Sequence, residues 1–331
     1  ELNKKVFVVS SDTLVENPLI LQYLEKNIDL INKYGKKNRL PIEAHILQPE
    51  VEESFWTLML GKGYPTPRQK FRWCTDRLKI KPIDKFIKSK INKYRKAIVI
   101  LGTRRDESAS RAQVMEEHSI DGKLLKRHTS LNNAYVYSPI EYFTTDDVWG
   151  YLLNKKNPWG GNNRDLFTLY AESRDAKECP MQTSKENKAP SCGQSRFGCW
   201  TCTVVVKDKS LTGFINTGHK ELKPLLYFRN MIKDMRNKEK YKQKRRKNGS
   251  IKYINTNDGK RRGYGPFNMK ARRKMLKKLL TIQKKSKFNL IKDEELRMIR
   301  KLWIEEGDWQ DKLPEIYEEV YDKEFQLEYN E

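Results

Sequence analysis

The chain has 331 residues, 37% of them hydrophobic and 33% charged, with a formal net charge of +24. That length suits about two domains, and an aromatic content of 11% with seven Trp argues against wholesale disorder. No apolar run approaches the ~18 residues of a membrane span, Val6 to Val9 is too short for a secretory signal, and so large a positive charge calls for an anionic partner, nucleic acid first.

Glu1 to Lys5 reads as a helix end or loop of a chain cut in mid-domain. Val6 to Val9 is a continuous apolar run stopped by Ser10-Ser11-Asp12-Thr13, the pattern of a strand buried on both faces of a parallel sheet. Pro18 opens a helix over residues 18–34, and Ile42 to Leu47 gives a second strand. A loop with Gly61, Gly63, Pro65 and Pro67 follows, then a helix from Pro82 to Tyr94 and a third buried strand from Ala97 to Leu101. Thr145-Asp146-Asp147-Val148-Trp149 reads as a capped helix start continuing to about Leu153. Residues 175–205 form a Cys-bearing loop region, and 225–331 read as mostly helical, with Met275, Leu276, Leu279, Leu280 and Ile282 on one face. Strands alternating with helices predict an α/β fold with a parallel sheet. The expected organisation is an α/β domain over 1–170, a Cys-rich segment over 171–206, and a basic, mainly helical region over 207–331 with an acidic tail. Ligands of such sheets sit at the carboxyl ends of the strands, where Ser10-Asp12-Thr13 and Gly102-Thr103-Arg104 both fall.

The charge is concentrated. Residues 207–287 hold 27 Lys and Arg against 5 Asp and Glu, whereas residues 289–331 hold 6 against 14. Aromatics interleave the basic block (Phe228, Tyr241, Tyr253, Tyr264, Phe267). That combination suits a nucleic-acid backbone, cations for phosphates and rings for bases.

The cysteines run Cys179-x12-Cys192-x6-Cys199-x2-Cys202, with Cys74 apart in Arg72-Trp73-Cys74-Thr75-Asp76-Arg77-Leu78-Lys79. Thiolates are soft ligands for zinc or an iron–sulfur cluster. A zinc ribbon normally shows two Cys-x2-Cys knuckles, and the single one here favours iron–sulfur. Cys74 reads either as a packing thiol or as a thiolate whose pKa is lowered by Arg72, Arg77 and Lys79. Gly102 to Arg111 follows a strand. Its glycine allows close backbone approach to a phosphate, Arg104 and Arg111 can fork onto phosphate oxygens, and Glu107 can pair with one of them or hold Mg2+. A charged loop with internal ion pairs is the other reading.

Leu101 to Arg111 resembles the Gly-x-Arg-x-x-Glu-Ser-x-x-Arg motif of adenylyl-sulfate and phosphoadenylyl-sulfate reductases, within the ATP-pyrophosphatase superfamily. Cys74-x2-Arg77 resembles the second half of their Cys-Cys-x-x-Arg-Lys motif, and Ser138 to Trp149 the segment that folds over their nucleotide. Val8 to Pro18, Gly61 to Pro65, Phe71 to Pro82, Asn157 to Gly160 and Pro190 to Cys202 are together similar to a narrower group, the DndC-type sulfurtransferases of bacterial DNA phosphorothioation. The resemblance runs from about Lys4 to about Leu280. The superfamily's phosphate loop, Ser-Gly-Gly-x-Asp-Ser on the strand before Val6, is absent from this sequence.

The resemblance implies an adenine-nucleotide hydrolase-like domain lacking its first strand and phosphate loop. It implies a sulfurtransferase with ATP pyrophosphatase activity, using ATP and Mg2+ to adenylate a DNA phosphate oxygen before sulfur is delivered from a persulfide or cluster. Cys74, Arg77, Lys79, Arg104 and Arg111 would be catalytic. Ser10, Asp12, Thr13, Gly102, Thr103, Arg104, Glu107, Ser108 and Arg111 would contact the nucleotide or its metal. A [4Fe–4S] cluster would take four of Cys74, Cys179, Cys192, Cys199 and Cys202, by analogy Cys74, Cys179, Cys199 and Cys202. Ligation by the compact four would leave Cys74 free to carry a persulfide. The implied partners are DNA, a cysteine desulfurase as sulfur donor and other subunits of a phosphorothioation complex, in the cytoplasm and away from membranes. An adenylyl-sulfate-type reductase, a zinc-stabilised nucleic-acid-binding module and an RNA-thiolating enzyme are the competing readings.

Overall fold

The computed structural model describes residues 4–173, 197–251, 253–256, 259–286 and 288–326. β1 (Val6–Ser11) pairs in parallel with β2 (Ile42–Leu47), Val6 opposite Ile42 and Ser11 opposite Leu47. Between them runs α1 (Pro18–Lys37). The Asn17 side chain caps its first turn by accepting from the Leu19 amide, and Lys36 and Lys37 face the negative end of its dipole. The short α2 (Trp73–Thr75) passes through a widened turn, Asp76–Ile80, into α3 (Lys81–Tyr94). β3 (Ala97–Ile100) pairs in parallel with β5 (Ala134–Tyr137), and β4 (Lys126–Arg127) lies antiparallel on the other side of β5. α4 (Ala109–Glu117) connects β3 to β4. α5 (Thr145–Asn154) starts in a reciprocal cap between Thr144 and Asp147, and α6 (Asn163–Glu172) follows. The α/β class with parallel strand pairs is the one the sequence pattern predicts.

Two strands differ from expectation. Every residue of β1 is half-buried rather than buried, and in β3 Ile98 and Ile100 are 58% and 63% exposed. Side chains alternate between the faces of a strand: Ala97 and Val99 pack with Ile83, Ile87 and Ile91 of α3, while Ile98 and Ile100 share the opposite face, which is left exposed. Among the described residues β1 and β3 are also edge strands, hydrogen-bonded only to β2 and β5 respectively.

The C-terminal region holds α7 (Lys209–Asn216), α8 (Lys223–Met235), a hairpin of β6 (Tyr253–Thr256) and β7 (Gly259–Arg262), then α9 (Met269–Ser286), α10 (Asp293–Glu305) and α11 (Lys312–Tyr321). The hairpin interrupts a stretch that the sequence renders as helical. Met275, Leu276, Leu279, Leu280 and Ile282 are at most 3% exposed, as their spacing predicts. They share one core with Trp56, Leu58, Met59, Leu60, Trp73, Trp200, Phe214 and Phe228. Buried indoles need an acceptor: Trp56 donates to the Leu290 carbonyl at 2.6 Å and Trp303 to the Leu60 carbonyl at 2.7 Å. Gly63 joins the two halves at φ +73°, where an added Cβ would stand 2.7 Å from the Phe267 carbonyl. No helix among the described residues is long and apolar enough to cross a membrane.

Candidate functional site

At the carboxyl end of β1 the chain turns through Asp12-Thr13-Leu14. Asp12 is 3% exposed, and both its oxygens are engaged: Oδ1 accepts from the Leu14 amide at 2.8 Å and Oδ2 from the Gln48 side chain at 2.9 Å. Ser10 is half-buried within β1, opposite Ile46. Beside them a cleft of about 510 Å³ opens between the end of β2 and the start of α3, with Gln48, Glu53, Arg77, Lys81 and Lys85 in its walls. Arg77 and Lys81 both bind the Glu53 carboxylate. Burial works against that charge, but the two cations hold the Glu53 carboxyl below its ordinary range. Glu50 lines the cleft too and pairs with Lys85, so the walls are of mixed charge, at the strand ends where ligands of such folds sit.

Cys74, Cys199 and Cys202 lie among the described residues, and Cys179 and Cys192 lie outside them. The Cys-x2-Cys turn docks on the segment that leaves β1. Glu16 and Cys199 form an antiparallel bridge, the Trp200 amide donates to the Val15 carbonyl at 3.0 Å, and the Cys199 thiol is 3.3 Å from the Thr13 hydroxyl. Within the turn the Cys202 amide donates to the Cys199 carbonyl at 2.9 Å. Arg229, 1% exposed on α8, holds the far side by donating to the carbonyls of Cys202 (2.8 Å), Val206 (3.0 Å) and Val205. Arg236 and the Thr203 hydroxyl both donate to the Pro67 carbonyl at 2.8 Å, which ties this turn to the loop leading to Cys74.

The electrostatics correct one expectation. Cys74 does not gain from its cationic neighbours in sequence: burial pushes its thiol up, and Cys202 adds to the effect. Arg77 is turned to Glu53 and Lys79 to Glu16, at 3.5 Å. Burial, and then the Glu16 carboxylate, push the Cys199 thiol far up, while Lys79 and Thr13 pull the other way. Burial opposes the Lys79 charge, but Cys199 and Glu16 hold its ammonium above the ordinary range. The three thiols thus share one neighbourhood. Among the described residues no three His, Cys, Asp or Glu side chains close around a metal position by themselves.

The Gly102–Arg111 stretch is knit together by its own charges. Arg104 is 7% exposed, donates to the Phe143 carbonyl at 3.1 Å and the Thr145 hydroxyl at 3.3 Å, and lies 3.5 Å from Asp106 and 3.8 Å from Glu107. Glu107 also binds Arg111, whose side chain is 42% exposed. Thr103 meets the Ser138 hydroxyl at 2.9 Å, and the Ser108 hydroxyl accepts from the Arg111 amide at the start of α4. Gly102 is exposed, with Ile140 the nearest neighbour of its face at 3.7 Å. In the basic region, Phe228 and Phe267 belong to the core at 1% and 0% exposure instead of facing a ligand, whereas Tyr253 is 60% exposed. Sequence reading passed over Glu16, Arg229 and Arg236. Glu16 stands four residues beyond Asp12 in a stretch already singled out, but Arg229 sits in a basic amphipathic helix with nothing to mark it as buried, and Arg236 at that helix's C-terminal cap.

Parallel strand pairs with a charged cleft at the end of β2 and a cysteine turn docked at the end of β1 are the frame of an α/β nucleotide-binding domain. Residues 1–205 match the profile described as phosphoadenosine phosphosulfate reductase domain, and the chain belongs to that family, whose members bind an ATP-derived nucleotide. It is 29% identical over 199 residues to the uncharacterized protein MJ0066 of Methanocaldococcus jannaschii, covering 56% of this chain and 38% of that protein. It is 27% identical over 125 residues to the uncharacterized protein MJ0973 of the same organism, covering 38% of this chain and 26% of that protein. The chain therefore spans well under half the length of these relatives. No solved structure matches it.

Proposed function

We propose that this chain is the nucleotide-using sulfurtransferase of DNA phosphorothioation, in the manner of the DndC-type enzymes. The observation that supports the reading is the docking of the Cys199–Cys202 turn beside the end of β1, with Cys74 near enough to feel the Cys202 charge, in a chain whose residues 207–287 carry 27 cations against 5 anions. The α/β part to about residue 170 would hold ATP with its Mg2+, the cysteines of 171–206 would serve sulfur, and 207–331 would hold DNA.

A phosphodiester oxygen is a poor leaving group. Transfer of the adenylyl group of ATP onto a non-bridging oxygen releases pyrophosphate and makes AMP the leaving group. A sulfur nucleophile then attacks phosphorus as AMP departs. Negative charge grows on the phosphate oxygens, so fixed cations contribute much of the stabilisation. Arg77 in the cleft and Arg111 at the mouth of the Gly102 motif serve this reading. The buried Arg104 positions the start of α5, and Lys79 sets the charge beside Cys199. Soft thiol donors fit a [4Fe–4S] cluster on Cys74, Cys199 and Cys202, with the fourth ligand from Cys179 or Cys192. When bound, that group would supply labile sulfide or electrons to the transfer.

The test is made in cells expressing the full-length protein with its desulfurase and partner subunits. Nuclease-digested DNA is read by mass spectrometry for phosphorothioate-linked dinucleotides. They are expected with the natural protein and absent with Cys74→Ser or Cys199→Ser. Sulfur found on RNA bases, or sulfite released from an adenylyl sulfate with no sulfur in DNA, overturns the reading in favour of an RNA-thiolating enzyme or a reductase of the same family.

A further inference from the structure

Buried basic residues in this protein come with a carboxylate. Arg104 has Asp106 and Glu107, Lys126 has Glu141 at 2.7 Å, Arg272 has Glu306 at 2.5 Å, and the Arg229 charge is supported by Asp208. Lys242 breaks the pattern. It is 7% exposed, and its ammonium sits over the Phe267 ring, 3.5 Å from the centroid. The charges that reach it are those of Arg68 and Arg236, both repulsive. Arg236 is no better served. Its Nη1 spends its bonds on the Pro67 carbonyl and on Thr203, its Nε is buried without a partner, and the charges that reach it are those of Arg68 and Arg229. Arg68 donates to the Asn237 side chain at 3.3 Å. Among the described residues no carboxylate forms an ion pair with any of the three. Lys242 is buried, Arg236 half-buried and Arg68 exposed; holding the Lys242 charge among like charges without a counter-ion is unfavourable, and the Phe267 ring face offsets only part of that.

We propose that Arg68, Arg236 and Lys242 form a binding site for a phosphate-class oxyanion, which supplies the negative charge the cluster lacks. Two planar guanidinium forks and one ammonium are the donor set that a tetrahedral oxyanion takes. Access is present on the side of Arg68, which is exposed; Lys242 also walls a neighbouring pocket of about 130 Å³ with Lys244, Arg262 and Tyr264, in which Glu239 is the one acidic wall residue. The site adjoins the thiols through the backbone: Arg236 reaches Thr203, the residue after Cys202, and Arg68 begins the turn that precedes Cys74. A phosphate held here would lie beside the sulfur-bearing loops. The site stands independently of any sulfur transfer to DNA.

The experiment uses the full chain and its Arg68→Gln and Lys242→Met variants. Melting temperature is followed against inorganic phosphate, and affinity is measured for a short DNA duplex. Phosphate is expected to raise the melting temperature of the natural chain. Lys242→Met should melt no lower than the natural chain in phosphate-free buffer, having shed an unpaired buried charge, and both variants should bind phosphate at least tenfold more weakly. If free phosphate has no effect but both variants lose tenfold or more in duplex affinity, the oxyanion is a backbone phosphate and the site stands. Phosphate and duplex binding unchanged in both variants overturn it.

Discussion

The thiol of Cys199 lies 3.3 Å from the hydroxyl of Thr13, across 186 positions of sequence. Thr13 also donates to Glu16 Oε1 at 2.9 Å, the oxygen that stands 3.5 Å from the Lys79 ammonium. One carboxylate and one ammonium, paired with each other, therefore push the charge on this sulfur in opposite directions.

Replacing Glu16 by Gln removes the anion that, after burial, does most to hold Cys199 as a neutral thiol. In metal-free protein Glu16→Gln should speed alkylation of Cys199, about tenfold for each unit by which the thiol pKa falls, since thiolate is the reacting species. Lys79→Met should slow it. Peptide mass spectrometry of timed samples checks both directions.

Anaerobically purified protein is expected to show a broad brown absorbance with iron and sulfide in equal amounts. Cys74→Ser, Cys199→Ser and Cys202→Ser should each lower that content severalfold, because a four-thiolate site tolerates removal of a ligand poorly. Colourless protein holding zinc and no sulfide refutes the cluster.

Arg229→Met takes the donor from the carbonyl of the half-buried Cys202, whereas the exposed Val205 can turn to water and the Val206 carbonyl keeps Lys233 at 2.7 Å. An orphaned group of that kind costs about 1–3 kcal/mol, and stability should fall by that order. Denaturant unfolding measures it, and faster alkylation of Cys202 should accompany the change.

Burial pushes the Glu295 carboxyl up from 4.5 to about 7, against the pull of Ser54 and of the Lys292 amide. The native chain thus holds a proton that the unfolded chain releases between those values. Stability should fall as pH rises from 4.5 to 7 and level off above. At roughly 1.4 kcal/mol per unit, up to about 3 kcal/mol is at stake. Glu295→Gln should remove this slope and be the more stable protein at pH 8, as unfolding curves across that range will show.

Lys244, Arg245 and Arg246 are exposed on the approach to the hairpin. Changing all three to Ala should weaken duplex binding and make the logarithmic salt slope shallower by about 0.9 for each phosphate that is no longer neutralised. Fluorescence anisotropy at several salt concentrations gives the slope.

Much of this was legible in the sequence. The Val6 and Ala97 runs, the helix opened by Pro18 and the apolar face at Met275 to Ile282 follow from period alone. The grouping of Cys74 with the Cys199–Cys202 turn followed from resemblance, since no spacing joins positions so far apart. Where reading failed, tertiary packing decided. Arg77 and Lys79 neighbour Cys74 along the chain, yet the turn at Asp76–Ile80 aims one at Glu53 and the other at Glu16. Arg229 and Lys242 look like two more cations in a basic run, and only folding reveals that both are buried. Phe228 and Phe267 read as stacking rings and became core.

The core that unites Trp56 and Trp73 with Phe228, Leu276 and Trp303 bears on how such a protein can change over generations. Recombination after residue 205 would hand on a family domain stripped of the packing behind its cysteine turn. The two ends must then be inherited as one unit. Change in the basic region would then come by single substitutions at exposed positions such as Arg245 and Tyr253, and not by exchange of a tail.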